Sequence, residues 1–231
     1  MDQWGLFPHV QTNSLPYSVC PVLPLTLPLE YEHDPYCRYY VNIMTDRLIH
    51  ELQKIEDFPQ EELDNLCGCL VKKFIAKGEH FLNPGQISRH IAFIDSGLLM
   101  HYSLHDGIEI PCNFSVEGDW TGSLRSFESG LPTEIAVRAL EDTWLREISA
   151  EQIQKLFRLS PRWLQFKNHL VQQVFFNITQ HNADLTGLSA KERYYKFMQE
   201  KPELFNRIPQ YYIAAYLGIT PQSLSRIRKT G

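Results

Sequence analysis

Small polar and basic residues crowd the last helical stretch of the sequence, residues 219–229, which reads ITPQSLSRIRK. Arg and Gln side chains can bind guanine and adenine edges, while Ser, Thr and Lys can bind phosphate oxygens. The residue types and their spacing therefore predict a surface that binds nucleic acid. The candidate contact residues are Thr220, Gln222, Ser223, Ser225, Arg226, Arg228 and Lys229.

Two helices joined by a tight turn must position these residues, and the sequence has the pattern of such a pair. Ala214 is small where crossing helices would meet, and Gly218 follows where the turn requires a positive φ. Thr220 can cap the second helix, and Pro221 fits its first position. This pattern is typical of a helix-turn-helix. An ordinary helical hairpin needs the same apolar residues and turn, but not the polar outer face.

The charge of the chain is distributed unevenly. The 231 residues carry a net charge of −5, but residues 188–231 contain eight Lys or Arg and three Asp or Glu, a net charge of +5. The rest of the chain therefore carries −10. A basic C-terminal segment on an acidic body indicates an anionic partner, although a solvated charged surface would give the same totals.

The sequence predicts a cytoplasmic protein that does not enter a membrane. No apolar run is long enough to span a bilayer, and the N-terminus lacks the features of a signal peptide. The five cysteines are expected to be thiols in a reducing cytosol. Cys67 and Cys69 would point to different sides of a helix, which favours buried structural thiols over an iron–sulfur cluster.

The chain divides into four segments of different character. Residues 1–43 contain six of the 14 prolines and have no regular period, which predicts a poorly ordered or non-native extension. A helical pattern runs from Thr45 to about Ile75 and includes Leu70 and Phe74. Short β-rich stretches such as HIAFIDSGLLMHYS follow, separated by glycine-containing turns. We expect an α+β fold with a β-domain over residues 44–150, a long-helix region over 151–186 and a helix-turn-helix over 187–231.

Helices return after the β-rich stretches. Ser149 and Ser189 each precede a Gln or Glu by three residues, the pattern of a capping box, and Ser160-Pro161 opens one long helix. The apolar seam of this helix contains Trp163, Phe166, Leu170, Val174, Ile178 and His181. Such a seam favours pairing with a second copy of the chain, and packing against the β-domain of the same chain is the alternative.

In this order the segments resemble the bacterial Crp/Fnr family of transcription regulators over about residues 45–229. The resemblance rests on the stretches KGEHFLNPGQ, FIDSGLL, EGDWTGS, FESGLPTEIAVRALEDTWLREIS, LSAKERYYKFM and ITPQSLSRIRK. It implies a jelly-roll (double-stranded β-helix) domain of the cyclic-nucleotide-binding type, a dimerisation helix, and a winged-helix-like domain whose wing is truncated here. The implied partners are double-stranded DNA and a second copy of the chain, and RNA polymerase is a further candidate, as the protein on which an adaptor would dock. Gln222, Ser223 and Arg226 match the base-reading positions, whereas Pro221 replaces an arginine found in other members.

The resemblance also places an effector pocket at Gly122, Ser123, Arg125, Thr133 and Glu134. Family members that bind cyclic AMP hold its ribose with a glutamate and its phosphate with an arginine–serine pair. Here Ser123 stands at the glutamate position and Thr133-Glu134 at the pair. A cyclic phosphate would meet Glu134 without a cation, which is unfavourable unless Arg125 substitutes. We expect a diverged pocket that does not bind cyclic AMP in the usual way, an unknown small-molecule effector and no cofactor.

Other groups of reactive side chains do not form a site that the sequence can identify. His101 and His105 would share a strand face about 13 Å apart, too far for one metal ion with Cys112. Glu141 and Asp142 fit a solvated turn. The sequence has no Gly-rich phosphate loop and no nucleophile elbow, so we expect no enzyme, with a cupin-like reaction in the β-domain as the alternative. A sensor or adaptor that docks on a protein partner is the alternative to a DNA-binding protein.

Overall fold

The computed structural model describes residues 47–229, which contain eight strands and nine helices. The helices are α1 (47–53), α2 (Gln60–Cys69), α3 (Leu124–Ser129), α4 (Ala150–Leu159), α5 (Pro161–Gly187), α6 (Ala190–Glu200), α7 (Pro202–Phe205), α8 (Gln210–Tyr216) and α9 (Pro221–Lys229). The strands are β1 (Val71–Ile75), β2 (His80–Leu82), β3 (His90–Ser96), β4 (Leu99–His105), β5 (Ile108–Ser115), β6 (Trp120–Thr121), β7 (Ile135–Ala139) and β8 (Thr143–Ser149). The predicted extension, residues 1–43, lies outside the described residues. Within the described part, no helix is both long and apolar enough to cross a membrane.

The strands form two antiparallel sheets that pack against each other as a β-roll. The strand order is β1-β8-β3-β6 in one sheet and β2-β7-β4-β5 in the other. Apolar residues from both sheets fill the space between them: Ile75, Leu82, Ala92, Ile94, Leu99, Val137, Ala139 and Leu145. The predicted α+β fold, a β-roll followed by helices, is therefore confirmed.

The helical pattern predicted from Thr45 to about Ile75 is wrong at its C-terminal end. α2 ends at Cys69, and the next residues form strand β1, which pairs with β8. Phe74 lies opposite Trp144 on β8, with 5.0 Å between the ring centroids. Cross-strand aromatic packing stabilises the strand, and a local apolar period cannot reveal this contact.

The helix starts agree with the sequence prediction. Ser149 and Ser189 each form a complete capping box with the residue three positions later. Ser160 caps α5, and Pro161 occupies its first turn. Each cap satisfies backbone N–H groups at the helix start that would otherwise lack partners, and it stabilises the helix by about 1 kcal/mol.

An aromatic row attaches the start of α5 to the β-roll. Trp163 and Phe166 are both 0% exposed. The Trp163 ring lies 4.4 Å from that of Phe58, and the Phe166 ring lies 5.1 Å from that of Trp120 between centroids. The predicted dimer seam is thus wrong for Trp163 and Phe166, because burial within their own chain leaves no surface for a second copy. The intrachain alternative holds for these two residues.

The C-terminal helices α6–α9 cover the outer face of the sheet that contains β4 and β5. Met100, Tyr102 and Phe114 from these strands belong to one apolar cluster with Ile213 and Leu217. Residues 99–102 are therefore all buried. Alternate side chains of this stretch point to the core between the sheets, and the others pack against the helices. The β-roll and the C-terminal helices therefore share an apolar contact that favours this arrangement of the two parts.

His101 is buried on β4 in a polar but uncharged environment. Its Nε2 lies 3.0 Å from Ser115 Oγ and 3.1 Å from Thr121 Oγ1. Burial lowers the pKa of His101 to about 4, because the charged imidazolium would lose its hydration. The side chain is therefore neutral at neutral pH.

Replacing Trp163 with Ala should lower the free energy of unfolding by about 3–5 kcal/mol, because a fully buried aromatic ring is lost and a cavity remains. Urea unfolding at a fixed protein concentration measures this change. Gln165→Ala, at an exposed position of the same helix, should change the free energy by less than about 0.5 kcal/mol. An equally small change at Trp163 would contradict its burial in its own chain.

The free energy of unfolding should fall as the pH drops from about 6.5 towards 4. In this range the unfolded chain binds a proton at residue 101 that the folded chain excludes, so the stabilisation is complete only above about pH 6.5. His101→Gln should remove this part of the pH dependence, up to about 3 kcal/mol, in urea unfolding curves. His105→Gln, whose side chain is 79% exposed in the parent, should leave it unchanged. Parallel parent and His101→Gln profiles would refute the assignment.

Candidate functional site

Two short helices, α8 and α9, meet at a tight turn near the C-terminal end of the described residues. Gly218 in this turn has a φ of +64°, and a Cβ there would lie 3.0 Å from Leu185 Cδ2 on α5. Thr220 Oγ1 accepts a hydrogen bond from the Ser223 backbone N at 3.1 Å. The turn glycine and the cap of α9 are therefore as the sequence predicts, and together they set the direction of α9.

The outward face of α9 carries most of the predicted contact residues. Gln222, Ser225, Arg226 and Lys229 are exposed, as is the cap residue before them, whereas Leu224 is 1% exposed and belongs to the apolar cluster with α6 and α8. The exposed side chains present amide, hydroxyl, guanidinium and ammonium groups along one short helix. These are the groups that hydrogen-bond to base edges and phosphates.

Ser223 and Arg228 make contacts within the chain. Ser223 is half-buried, and its Oγ lies 3.0 Å from Thr220 Oγ1. The Arg228 guanidinium lies over the Phe205 ring, 5.2 Å from its centroid, and Nη1 donates a hydrogen bond to Gln210 Oε1 at 3.0 Å. These contacts join the end of α9 to α7 and to the start of α8, and so hold α9 at its angle.

The segment from β6 through α3 to β7 brings together three of the predicted pocket residues. Gly122 has a φ of +137°, and a Cβ there would lie 3.3 Å from His90 O. Ser123 precedes α3, and its Oγ is hydrogen-bonded at 3.0 Å to Oγ1 of the buried Thr133. The positions that the resemblance assigns to ribose and phosphate recognition therefore hold two neutral hydroxyl groups that bond to each other.

The two charged pocket candidates lie apart from this pair of hydroxyl groups. Arg125 is exposed on α3 and borders a cleft of about 530 Å³ between this segment, α5 and α6. Glu134 is exposed and is not part of the cleft lining. Repulsion between Glu134 and a phosphate therefore stays a prediction, and it would not apply to a phosphate bound in this cleft, since Glu134 lies at the surface outside it. The remaining difference from members that bind cyclic AMP is that Thr133 stands where they have the cationic arginine.

The opposite wall of the cleft comes from α5 and α6. It includes Ile178 and His181 on α5, and Lys196 and Lys201 at the α6 side. Lys196 Nζ is paired with Asp184, at 2.6 and 2.8 Å from its two carboxylate oxygens. A molecule in this cleft would therefore contact the β-roll, the long helix and the C-terminal helices together.

The rest of the predicted α5 seam lies in different environments. Leu170 packs beside the aromatic row. Val174 and Ile178 are 42% and 55% exposed. His181 stacks on Tyr216 of α8, with 4.2 Å between the ring centroids. The middle of α5 therefore exposes apolar side chains, and its C-terminal part contacts the helices that follow.

An apolar stripe is exposed along α5. It consists of Leu164, Val171, Phe175 and Ile178, which are between 42% and 60% exposed. Steps of seven, four and three residues place these side chains on one face, as in a two-stranded coiled coil. The seam predicted from the sequence did not include Phe175 and Val171, because its apolar repeat was aligned on Trp163 and Phe166.

Arg207 forms an ion-pair network that the sequence did not reveal. It lies between α7 and α8, and its guanidinium donates to Glu117 at 2.9 Å and to Glu141 at 2.7–3.2 Å. Glu141 lies in a turn as predicted, but its carboxylate is not simply solvated, because it binds a residue 66 positions away. Burial alone would raise the pKa of Glu117, but hydrogen bonds from Arg207 and the backbone hold it below its ordinary value.

A second network links β5, β7 and α8. Arg138 donates two hydrogen bonds of 2.6 Å to the Glu109 carboxylate. The Tyr212 hydroxyl donates to Glu109 at 2.5 Å and also accepts a hydrogen bond from Arg138. Burial opposes ionisation of Glu109, but these hydrogen bonds hold its pKa below the ordinary value. No local sequence pattern indicates these partners, since Tyr212 and Glu109 are 103 residues apart.

The cysteines and acidic side chains do not assemble a metal site within residues 47–229, where no group of three or more His, Cys, Asp or Glu could hold an ion. Cys67 and Cys69 are free thiols on α2, and the expected burial of these structural thiols is only partial, since both are half-buried. Burial raises the pKa of the Cys67 thiol, so the less reactive protonated form is favoured.

Comparison with known proteins identifies the β-roll. Residues 72–160 match the model of the cyclic nucleotide-binding domain. A search of curated proteins finds no match. Among solved structures, FixK2 from Bradyrhizobium japonicum superposes with a TM-score of 0.63 at 20% identity, covering 70% of this chain and 83% of FixK2.

Two further solved structures share this arrangement. The c-di-GMP responsive global regulator CLP of Xanthomonas campestris has a TM-score of 0.62 at 17% identity, covering 74% of this chain and 91% of CLP. A crp/fnr-family protein from Eubacterium rectale has a TM-score of 0.61 at 20% identity, covering 75% of this chain and 83% of the other. The chain therefore contains a cyclic nucleotide-binding domain followed by helices in the fold of the Crp/Fnr family of transcription regulators, as the sequence resemblance predicted.

Proposed function

We propose that this protein is a sequence-specific DNA-binding transcription regulator of the Crp/Fnr type, and not an enzyme. The observation that carries the proposal is the exposed polar and basic face of α9, held by a capped helix-turn-helix. The order of parts supports it, since a cyclic nucleotide-binding domain precedes the long helix and the C-terminal helices, as in the Crp/Fnr-family fold.

The side chains of α9 divide into base-reading and backbone-binding groups. Arg226 and Gln222 have the bidentate chemistry that recognises guanine and adenine in the major groove. Lys229, at the end of the helix, suits a phosphate oxygen, and Ser225 can serve either role. Arg228 holds α9 in place through Phe205 and Gln210.

Charge favours DNA as the partner of the C-terminal helices. Residues 188–231 carry a net charge of +5, whereas the whole chain carries −5. A polyanion is therefore attracted to this end of the chain and repelled by the rest, which orients the encounter before any base is read.

The exposed stripe of α5 supports a homodimer. Two copies that pair along Leu164, Val171, Phe175 and Ile178 would bury side chains that are now about half-exposed. A dimer with two-fold symmetry presents two α9 helices to successive major grooves of a near-palindromic site. The long helix thus serves both pairing and the spacing of the two DNA contacts.

The cleft beside Ser123 and Arg125 is the proposed effector site. Its position between the β-roll, α5 and α6 allows a small molecule to affect the C-terminal helices. The Ser123–Thr133 hydrogen bond occupies the positions where family members that bind cyclic AMP hold ribose and phosphate. We expect that cyclic AMP does not bind there in the usual way.

A sensor or adaptor that docks on a protein is the second candidate. Tyr211 and Tyr195 of the C-terminal helices are 55% and 37% exposed, and aromatic side chains are enriched in protein interfaces. Salt separates the two candidates, because DNA affinity carried by phosphate contacts falls steeply as salt rises.

Arg226→Ala should weaken binding to a duplex that the parent protein enriches from a random-sequence pool, by about 1–3 kcal/mol. The loss of affinity should be large on that duplex and small on a duplex of scrambled sequence, because a base contact carries sequence information. Fluorescence titration at several salt concentrations measures both duplexes.

Lys229→Ala should behave differently in the same titrations. A lost phosphate contact should weaken both duplexes alike and reduce the slope of log affinity against log salt by about one. Arg158→Ala, at an exposed position on α4, serves as the charge control and should leave both affinities unchanged. Unaltered discrimination by Arg226→Ala would count against its base-reading role.

Phe175→Asp should convert the dimer to a monomer, because it places a charge in the centre of the apolar stripe. Sedimentation analysis measures the association state at several protein concentrations. Gln172→Asp adds the same charge at an exposed position outside the stripe and should remain dimeric. A Phe175→Asp protein that sediments as the parent would exclude this stripe as the interface.

A further inference from the structure

Two polar networks hold the first helix of the helix-turn-helix against the β-roll. In the first, Arg207 binds Glu117 and Glu141. In the second, Tyr212 and Arg138 bind Glu109. We call these two networks together the latch.

The latch joins segments that are far apart in the sequence. Glu117 lies in the turn between β5 and β6, and Glu141 lies in the turn between β7 and β8. Arg207 lies just before α8 and Tyr212 within it, so both networks act on the same helix. The β-roll therefore binds the first turn of α8 and the loop before it, at the end of α8 opposite to the turn that leads to α9.

The latch has the properties of a contact that can open. The side chains of Arg207, Glu117 and Glu141 are 24%, 25% and 34% exposed, and those of Arg138 and Glu109 are 18% and 26% exposed. Ion pairs that water partly reaches are screened by salt, and their hydrogen bonds can be exchanged for hydrogen bonds to water. A ligand or DNA that binds the open form better can therefore shift the balance.

The carboxylates of the latch stand where DNA would have to come close. In helix-turn-helix proteins the first helix crosses the phosphate backbone while the second enters the major groove. Here α8 is that first helix, and Glu109 and Glu117 lie against it or against the loop before it. Glu117 and Glu141 share the single guanidinium of Arg207, so the first network keeps one excess negative charge, which would repel the backbone phosphates as long as the latch is closed.

We propose that the latch is autoinhibitory: acidic groups of the β-roll hold the helix-turn-helix on the β-roll, and their release strengthens DNA binding. This inference rests on the proposed DNA-binding function and adds its regulation. The cleft between the β-roll, α5 and α6 is next to the same interface, so an effector there can act on the closed arrangement.

The test uses two substitutions that open the latch by different chemistry. Arg207→Gln removes a positive charge, so charge alone predicts weaker DNA binding, whereas release of the latch predicts tighter binding. Tyr212→Phe removes one hydroxyl group, keeps the ring and changes no charge. Arg158→Gln removes the same charge as Arg207→Gln from an exposed position on α4 and is the matched control.

Two measurements are made on the full chain. Titration of a short fluorescent duplex of mixed sequence at low salt gives the DNA affinity. Hydrogen exchange without DNA reports whether the α8 amides have become less protected. We expect both Arg207→Gln and Tyr212→Phe to bind the duplex about 10-fold tighter than the parent, a coupling typical of linked conformational states, with faster exchange in α8. Arg158→Gln should bind no more tightly than the parent.

Each failure has a separate meaning. A parent that binds the duplex, with neither latch variant binding more tightly, overturns the autoinhibitory role and leaves the proposed function standing. Unchanged exchange in α8 of both variants also overturns it, since the networks then do not hold the helix. Absence of duplex binding by the parent and every variant overturns the proposed function and this inference with it.

Discussion

The apolar contact between the outer face of β4–β5 and helix α8 is the constraint on which the rest of the structure depends. Met100 and Phe114 meet Ile213 and Leu217 in a single cluster, so residues 99–102 of β4 are buried on both faces of the sheet. Moving α8 far from the β-roll would expose these side chains to water, which is unfavourable. The direction of α9 is therefore coupled to the β-roll, through the apolar contact and through the polar groups around it.

Helix α5 connects the parts because it lies in three environments in turn. Its first turns are anchored by Trp163 and Phe166 in a separate apolar cluster, formed with α1, α2, α4 and strands β3 and β8. Its middle exposes an apolar stripe, and its end contacts the C-terminal helices through His181 on Tyr216 and Asp184 with Lys196. Helix α5 therefore joins the β-roll to the C-terminal helices through direct side-chain contacts at both of its ends.

Features decided by neighbours in sequence could be predicted, and those decided by distant contacts could not. The Ser149 and Ser189 capping boxes and the Gly218 turn are local, and all were foreseen. Strand β1 was not predicted because its strand conformation depends on pairing with β8. The dimer seam was wrong at Trp163 because an apolar period does not show which surface buries the apolar side chains. The role of Arg207 could not be predicted from the sequence, since its carboxylate partners lie 66 and 90 positions away along the chain.

Selection of duplexes from a random-sequence pool by the parent protein is the most direct test of the central claim. That claim is that a symmetric pair of α9 helices reads the DNA sequence. The account predicts inverted half-sites whose centres lie about 10 base pairs apart, because two-fold related recognition helices enter successive major grooves. Enrichment of G and A at fixed positions would match the chemistry of Arg226 and Gln222. A pool that stays random, or one that yields a single half-site without its inverted partner, would contradict the account.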